Sequence, residues 1–156
     1  MRKALVPGSS DPITLGHIAI IESAARLFDS VTVCVMVNEE KKYMFSLKER
    51  AELIEKAVSH LENVKVDTWS GWLFEYAEKN GIDVIVKGVR DTIDFEYEYG
   101  LYSINREIGG YDTLFVPANP DYKFISSTFV RDMIKYGRDV KPYVPNGVDE
   151  YIKQKK

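Results

Sequence analysis

Short runs of β-branched and apolar residues alternate along this chain with longer stretches whose apolar residues recur every three to four positions, and that alternation fixes the class of fold. The short runs are residues 4–6, 31–37, 64–68, 82–87 and 113–116. Residues 31–37 form a continuous β-branched-rich run and 82–87 are nearly all apolar, the pattern of strands covered on both faces. Between them, residues 16–28 carry Ile18, Ile21, Ala25 and Phe28 at helical spacing. Ser46 stands three residues before Glu49, a capping box, and Leu47, Ala51, Ile54, Val58 and Leu61 line one helix face. Further helices are predicted over about 72–80, stopped by Gly81, about 94–107, and 126–136, stopped by Gly137, with a short one after Pro145. Pro7-Gly8 is expected to end the first strand and Gly88 the fourth. Strands joined through helices make right-handed crossovers, so the sequence predicts an α/β, doubly wound, mostly parallel five-stranded sheet. With 156 residues and no repeat, linker or low-complexity tract, it reads as one domain, 1–156.

A net charge of -3 gives the chain no overall attraction for nucleic acid or an anionic membrane, so neither is an expected partner. Any polyanionic ligand must meet a local cluster of cations. Cys34 is the sole cysteine, which excludes an internal disulfide or a cysteine zinc cage; its apolar neighbours mark it as a small buried hydrophobe. The first apolar run is too short for a signal peptide, and nothing approaches the roughly 20 apolar residues that span a bilayer. The chain reads as cytoplasmic.

In a doubly wound sheet, ligands bind outside the carboxyl ends of the strands, where strand order reverses. The loops after the five strands are therefore where chemistry is expected. After the first strand comes Pro7-Gly8-Ser9-Ser10-Asp11-Pro12-Ile13-Thr14-Leu15-Gly16-His17, a glycine-containing loop that opens a helix whose free N–H groups attract phosphate. Its residues alone also permit a plain tight turn, capped by Asp11 or Thr14, with His17 as a partly exposed first-turn residue. Lys41 and Lys42 occupy the loop after the second strand, a place where a charge pair is often only solvated. Lys87-Gly88-Val89-Arg90 puts two cations around a glycine at the end of the fourth strand, a plausible oxyanion site. Ser126, Ser127 and Thr128 open a helix, where hydroxyls and N–H groups suit either phosphate or simple capping. Trp69, Trp72 and Leu73 follow the third strand and suit pocket lining, core or a subunit contact alike. Asp94, Glu96 and Glu98 do not share a helix face, so they form no metal site and read as a charged surface helix; Phe95 and Tyr97 read as packing residues.

Thr14-Leu15-Gly16-His17 after Gly8-Ser9-Ser10-Asp11-Pro12 resembles the signature of the nucleotidyltransferases with a (T/H)-x-G-H element. With Lys41-Lys42-Tyr43-Met44-Phe45, Lys87-Gly88-Val89-Arg90, Asp94-Phe95-Glu96-Tyr97-Glu98 and Phe124-Ile125-Ser126-Ser127-Thr128, in this order, nearly the whole chain resembles bacterial phosphopantetheine adenylyltransferases. The resemblance implies a Rossmann-like nucleotidyltransferase fold and transfer of the adenylyl group of ATP to 4′-phosphopantetheine. It implies His17 and Lys41 as catalytic residues, and Ser9, Lys41, Trp72, Leu73 and Lys87 as acceptor contacts. ATP would be held by Ser9, Ser10, His17, Gly88, Val89, Arg90, Glu98, Tyr122, Ile125, Ser126, Ser127 and Thr128. Magnesium is expected on the ATP phosphates rather than in a protein cage, coenzyme A as a feedback inhibitor, and a homo-oligomer, a hexamer by resemblance. Three positions depart from the family pattern: Lys87 replaces arginine and loses its two-pronged geometry, Ser10 replaces phenylalanine, and Thr128 replaces a third serine but keeps the hydroxyl. Another transferase on the same scaffold, or a nucleotide-binding module without activity, are the competing readings.

Overall fold

The computed structural model describes residues 1–155 as five strands and six α-helices. β1 (Lys3–Gly8), β2 (Ser30–Val37), β3 (Val64–Ser70), β4 (Val84–Val89) and β5 (Thr113–Pro117) form one sheet in the order β3-β2-β1-β4-β5, and every pairing is parallel. α1 (Leu15–Leu27), α2 (Leu47–Val58), α3 (Leu73–Asn80), α4 (Thr92–Gly109), α5 (Ser127–Lys135) and α6 (Val148–Lys155) connect and cover it. The doubly wound expectation holds, and the sheet is wholly rather than mostly parallel. No helix among the described residues is long and apolar enough to cross a membrane.

The central strands β1 and β2 carry the core: Ala4, Val6, Val31, Val33 and Val35 pack with Ile21 and Ala24 of α1 and Leu53 and Ile54 of α2. On the opposite face Leu5 and Cys34 pack with Tyr76, Ala77 and Ile82. Cys34 is fully buried, and burial pushes its thiol up to about 12, which leaves it an inert core side chain.

Local signals account for most element ends. Ser46 Oγ accepts from the Glu49 N–H while the Glu49 carboxylate accepts from the Ser46 N–H, the predicted capping box. Gly81 closes α3 in the left-handed conformation at φ 62°. Two expected strand ends are corrected. β1 runs through Pro7-Gly8 because both residues still pair with β2, at Cys34 and Val35. β4 runs through Gly88 because the glycine serves close packing rather than a turn: a Cβ there would lie 2.7 Å from Ile20 Cγ1 of α1. That bare spot lets α1 lie directly on the end of β4.

Candidate active site

Register pairs join β1 to β4 at Ala4↔Val84 and Leu5↔Ile85 only, whereas β1 and β2 stay paired along all of β1. The carboxyl halves of β1 and β4 therefore separate where the chain changes direction across the sheet, the place a ligand crevice forms in this architecture. Hydrogen bonds at Asp11 and Pro12 tie the loop after β1 to the loop after β2 and to the start of α5.

Thr14 caps α1 and settles the state of His17. The Thr14 N–H donates to His17 Nδ1 at 3.0 Å, Thr14 Oγ1 lies 3.1 Å from the same nitrogen, and the His17 N–H donates to Thr14 Oγ1. A ring nitrogen that accepts an N–H carries no proton, so the neutral imidazole holds its proton on Nε2. Nε2 has no protein partner among the described residues. Burial, then Arg90, then Lys87 hold the His17 pKa down to about 4, so the ring is neutral near pH 7. Arg90 and Lys87 therefore lie close enough to act on His17.

β4 and α4 present the other cations. Lys87 Nζ lies 3.1 Å from Glu98 Oε2, and Arg90 Nε lies 3.7 Å from Asp94 Oδ2, which also accepts the Arg90 N–H at 3.0 Å. Glu98 Oε2 is buried and makes no well-directed hydrogen bond, so the Lys87 pair is a charge contact rather than a locked bridge. Glu98 thus sits beside the cation cluster, and Glu96 faces solvent. Phe95 packs on Phe115 of β5 at 5.1 Å between ring centroids, but Tyr97 is 65% exposed, which corrects its reading as a packing residue within the chain. Gly88 and Val89 are backbone of β4, and the Val89 carbonyl accepts the Ala118 N–H.

Asp11, read as a candidate cap, instead joins loops. Its buried carboxylate accepts the N–H groups of Met44 and Phe45, each at 2.9 Å, and so fixes the loop after β2 against the loop after β1. Lys41 rides on that loop, exposed, in a turn closed by its own N–H on the Asn38 carbonyl. Phe45 is buried beneath the loop, while Met44 is half-exposed.

The start of α5 is tied to the same place. Ser127 Oγ donates to the Pro12 carbonyl and Arg131 Nη1 to the Asp11 carbonyl, both at 2.7 Å. Ser126 Oγ accepts the Phe129 N–H, and Thr128 Oγ1 accepts from Arg131 Nη2. All three hydroxyls of 126–128 therefore have protein partners. What this helix start offers an anion is chiefly the first-turn N–H groups of Ser127 and Thr128. Ile125 is buried and Tyr122 packs on the core, so both shape this turn from behind.

Ser9 is half-buried and Ser10 buried, and Ser10 holds a left-handed backbone at φ 47°. After β3, Trp72 is 56% exposed and stacks on Phe74, while Leu73 packs against the Leu5–Cys34–Tyr76 cluster. Asp11 was read only as a candidate cap, and neither Arg131 nor Arg50, a buried side chain beneath Ser9, was assigned a role from sequence. Arg50 alone left a trace there: it occupies the apolar face of α2 with Leu53 and Ile54.

Among the described residues no three His, Cys, Asp or Glu side chains come together to hold a metal ion. The carboxylates nearest the cluster, Glu98 and Asp94, already face Lys87 and Arg90.

Residues 5–133 match the cytidylyltransferase-like family. The chain is 47% identical to phosphopantetheine adenylyltransferase of Corynebacterium diphtheriae, across 99% of this chain and 98% of that one. It is 44% identical to the enzyme of the same name from Corynebacterium efficiens, across 98% and 97%. Its fold is also that of a bifunctional NMN adenylyltransferase/ADP ribose pyrophosphatase from Francisella tularensis, with a TM-score of 0.73 at 15% identity, over 98% of this chain and 49% of that one.

Proposed function

The chain belongs to the phosphopantetheine adenylyltransferases, within the cytidylyltransferase-like family, and on that premise we propose how its residues divide the work. The enzyme transfers the adenylyl group of ATP to 4′-phosphopantetheine, giving dephospho-coenzyme A and pyrophosphate, a step of coenzyme A biosynthesis. The acceptor phosphate is already ionised near neutral pH, so direct in-line attack on the α-phosphorus needs no general base. It needs alignment and neutralisation of the negative charge gathering on the α-phosphoryl oxygens.

The state of His17 carries the reading. A neutral ring whose Nδ1 is occupied by the Thr14 N–H can only donate from Nε2, and that is what a phosphoryl oxygen requires. Lys41 supplies the acceptor-side charge, and Lys87 assists it. Arg90 and the N–H groups opening α5 hold the triphosphate, Glu98 sets the position of Lys87, and Ser9 and Ser10 line the floor. Trp72 and Leu73, on the rim after β3, take the partly apolar pantetheine arm. ATP brings its own magnesium as Mg·ATP.

Two wider properties belong to the same proposal. The enzyme works in the cytoplasm as a homohexamer, and exposed apolar side chains along α4, Ile93, Tyr97 and Ile108, supply subunit contacts. Coenzyme A, which shares the pantetheine arm, competes for the acceptor side of the crevice.

The test is pyrophosphate release with Mg·ATP and each of several acceptors. Release is expected with 4′-phosphopantetheine and not with nicotinamide mononucleotide. Release with another acceptor only, or ATP binding without turnover on any, would overturn the reading.

A further inference from the structure

Arg50 is a guanidinium almost wholly inside the protein, 1% exposed, directly beneath the loop that follows β1. Its Nη1 donates to the Ser9 carbonyl at 2.8 Å and to the Met36 carbonyl at 3.3 Å, and its Cζ lies 3.9 Å from the centre of the Tyr43 ring. Tyr43 Oη in turn accepts the Asn38 N–H at 2.9 Å and so closes the loop that carries Lys41. One side chain of α2 thus grips the first loop, the end of β2 and the Lys41 loop together.

Two features are costly for a side chain that only packs. Arg50 Nε is buried with no hydrogen-bond partner. No carboxylate lies within 4.0 Å of the guanidinium among the described residues, whereas Lys87, Arg90 and Arg131 each have one. The carboxylate that acts on it, Asp11, lies beyond 4.0 Å and is already held by Arg131 and by the N–H groups of Met44 and Phe45, so the buried cation is only partly compensated.

The peptide geometry shows what the grip achieves. In a trans peptide the C=O and the next N–H point in opposite directions. Arg50 draws the Ser9 carbonyl inward, so the Ser10 N–H faces away from it, and that N–H has no acceptor among the described residues. We propose that Arg50 is a positioning residue for the phosphate cradle, turning the Ser10 N–H toward the substrate phosphates and placing a partly compensated positive charge beneath them. The bound phosphates then complete the counter-charge that Asp11 supplies in part. This rests on the adenylyl-transfer reading of the site.

Arg50→Met and Arg50→Lys test it. Steady-state pyrophosphate release is measured with ATP and phosphopantetheine varied in turn, and thermal unfolding is followed with and without Mg·ATP. Arg50→Met is expected to lower kcat/KM for ATP at least tenfold and to shrink the ATP-induced rise in Tm. Arg50→Lys, which keeps the charge but loses the planar guanidinium that lies over the Tyr43 ring, should recover part of the loss. A folded Arg50→Met with wild-type KM for ATP, kcat and ATP-induced Tm shift overturns the proposal. If Arg50→Met does not fold, Arg50→Lys decides: a loss in kcat/KM for ATP at retained Tm supports positioning, and wild-type kinetics overturn it. Wild-type protein that binds ATP but releases no pyrophosphate sinks the function instead, and the ATP-induced Tm shift still reads the part played by Arg50.

Discussion

Two residues divide the charge problem of this site in different ways. His17 acts without charge: its pKa of about 4 keeps it neutral, and Thr14 fixes which nitrogen bears the proton. His17→Ala should lower kcat by about two orders of magnitude, the usual loss of one oxyanion donor, with a much smaller change in KM for ATP. Lys41 is proposed to act through charge from an exposed loop, so Lys41→Ala should lower kcat and raise KM for phosphopantetheine together, both read by pyrophosphate release. The His17 titration also bears on stability. Its folded pKa lies below the unfolded value of 6.5, so between these pH values the unfolded chain takes up the proton first and stability is lost as pH falls from 6.5 toward 4. The loss amounts to roughly 1–3 kcal/mol, allowing for partial exposure. Urea unfolding of wild type and His17→Gln across that range should show the wild type losing more, and parallel curves would contradict the low pKa.

At the scale of elements, the end of β4 and the start of α1 act as one unit because Gly88 leaves room for Ile20. Gly88→Ala should cost about 1–3 kcal/mol through overcrowding. Ile20→Ala in the same chain should return part of that loss, a coupling that a double-mutant cycle of urea midpoints would measure. Gly88 also shows where sequence reading stops. A glycine after an apolar run looks the same whether it ends a strand or admits a neighbour, and only the approach of Ile20 distinguishes the two. The Ser46–Glu49 box was legible because both partners lie within one turn. Asp11 was not, because its partners Met44 and Phe45 lie more than 30 residues along the chain and the bonds go to backbone N–H groups that carry no sequence signal. Arg50 stood between these cases, a charge on an apolar helix face, visible as an exception but silent about what it holds. The motif loops were legible because phosphate chemistry demands particular residues at strand ends; which hydroxyls of 126–128 were already engaged was not.

Across the whole molecule, α4 exposes more apolar surface than a solitary chain of this size needs, with Ile93 80%, Tyr97 65% and Ile108 65% exposed. If the proposed hexamer forms through this face, Tyr97→Glu combined with Ile108→Glu should convert it into smaller species in sedimentation velocity, with helical content unchanged. An unaltered sedimentation coefficient would place the subunit contacts elsewhere. The parting of β1 and β4 beyond Leu5 and Ile85 has one more consequence. Lys41, Trp72 and Leu73 sit on the wing formed by β2 and β3, whereas Arg90, Glu98 and the α5 start sit on the wing formed by β4 and β5. On the proposed division of labour, the two reactants are recognised largely on opposite banks of a single seam, with Lys87 reaching the acceptor from β4. The β2–β3 bank can be rebuilt to welcome a different phosphorylated acceptor while the nucleotide berth opposite stays intact.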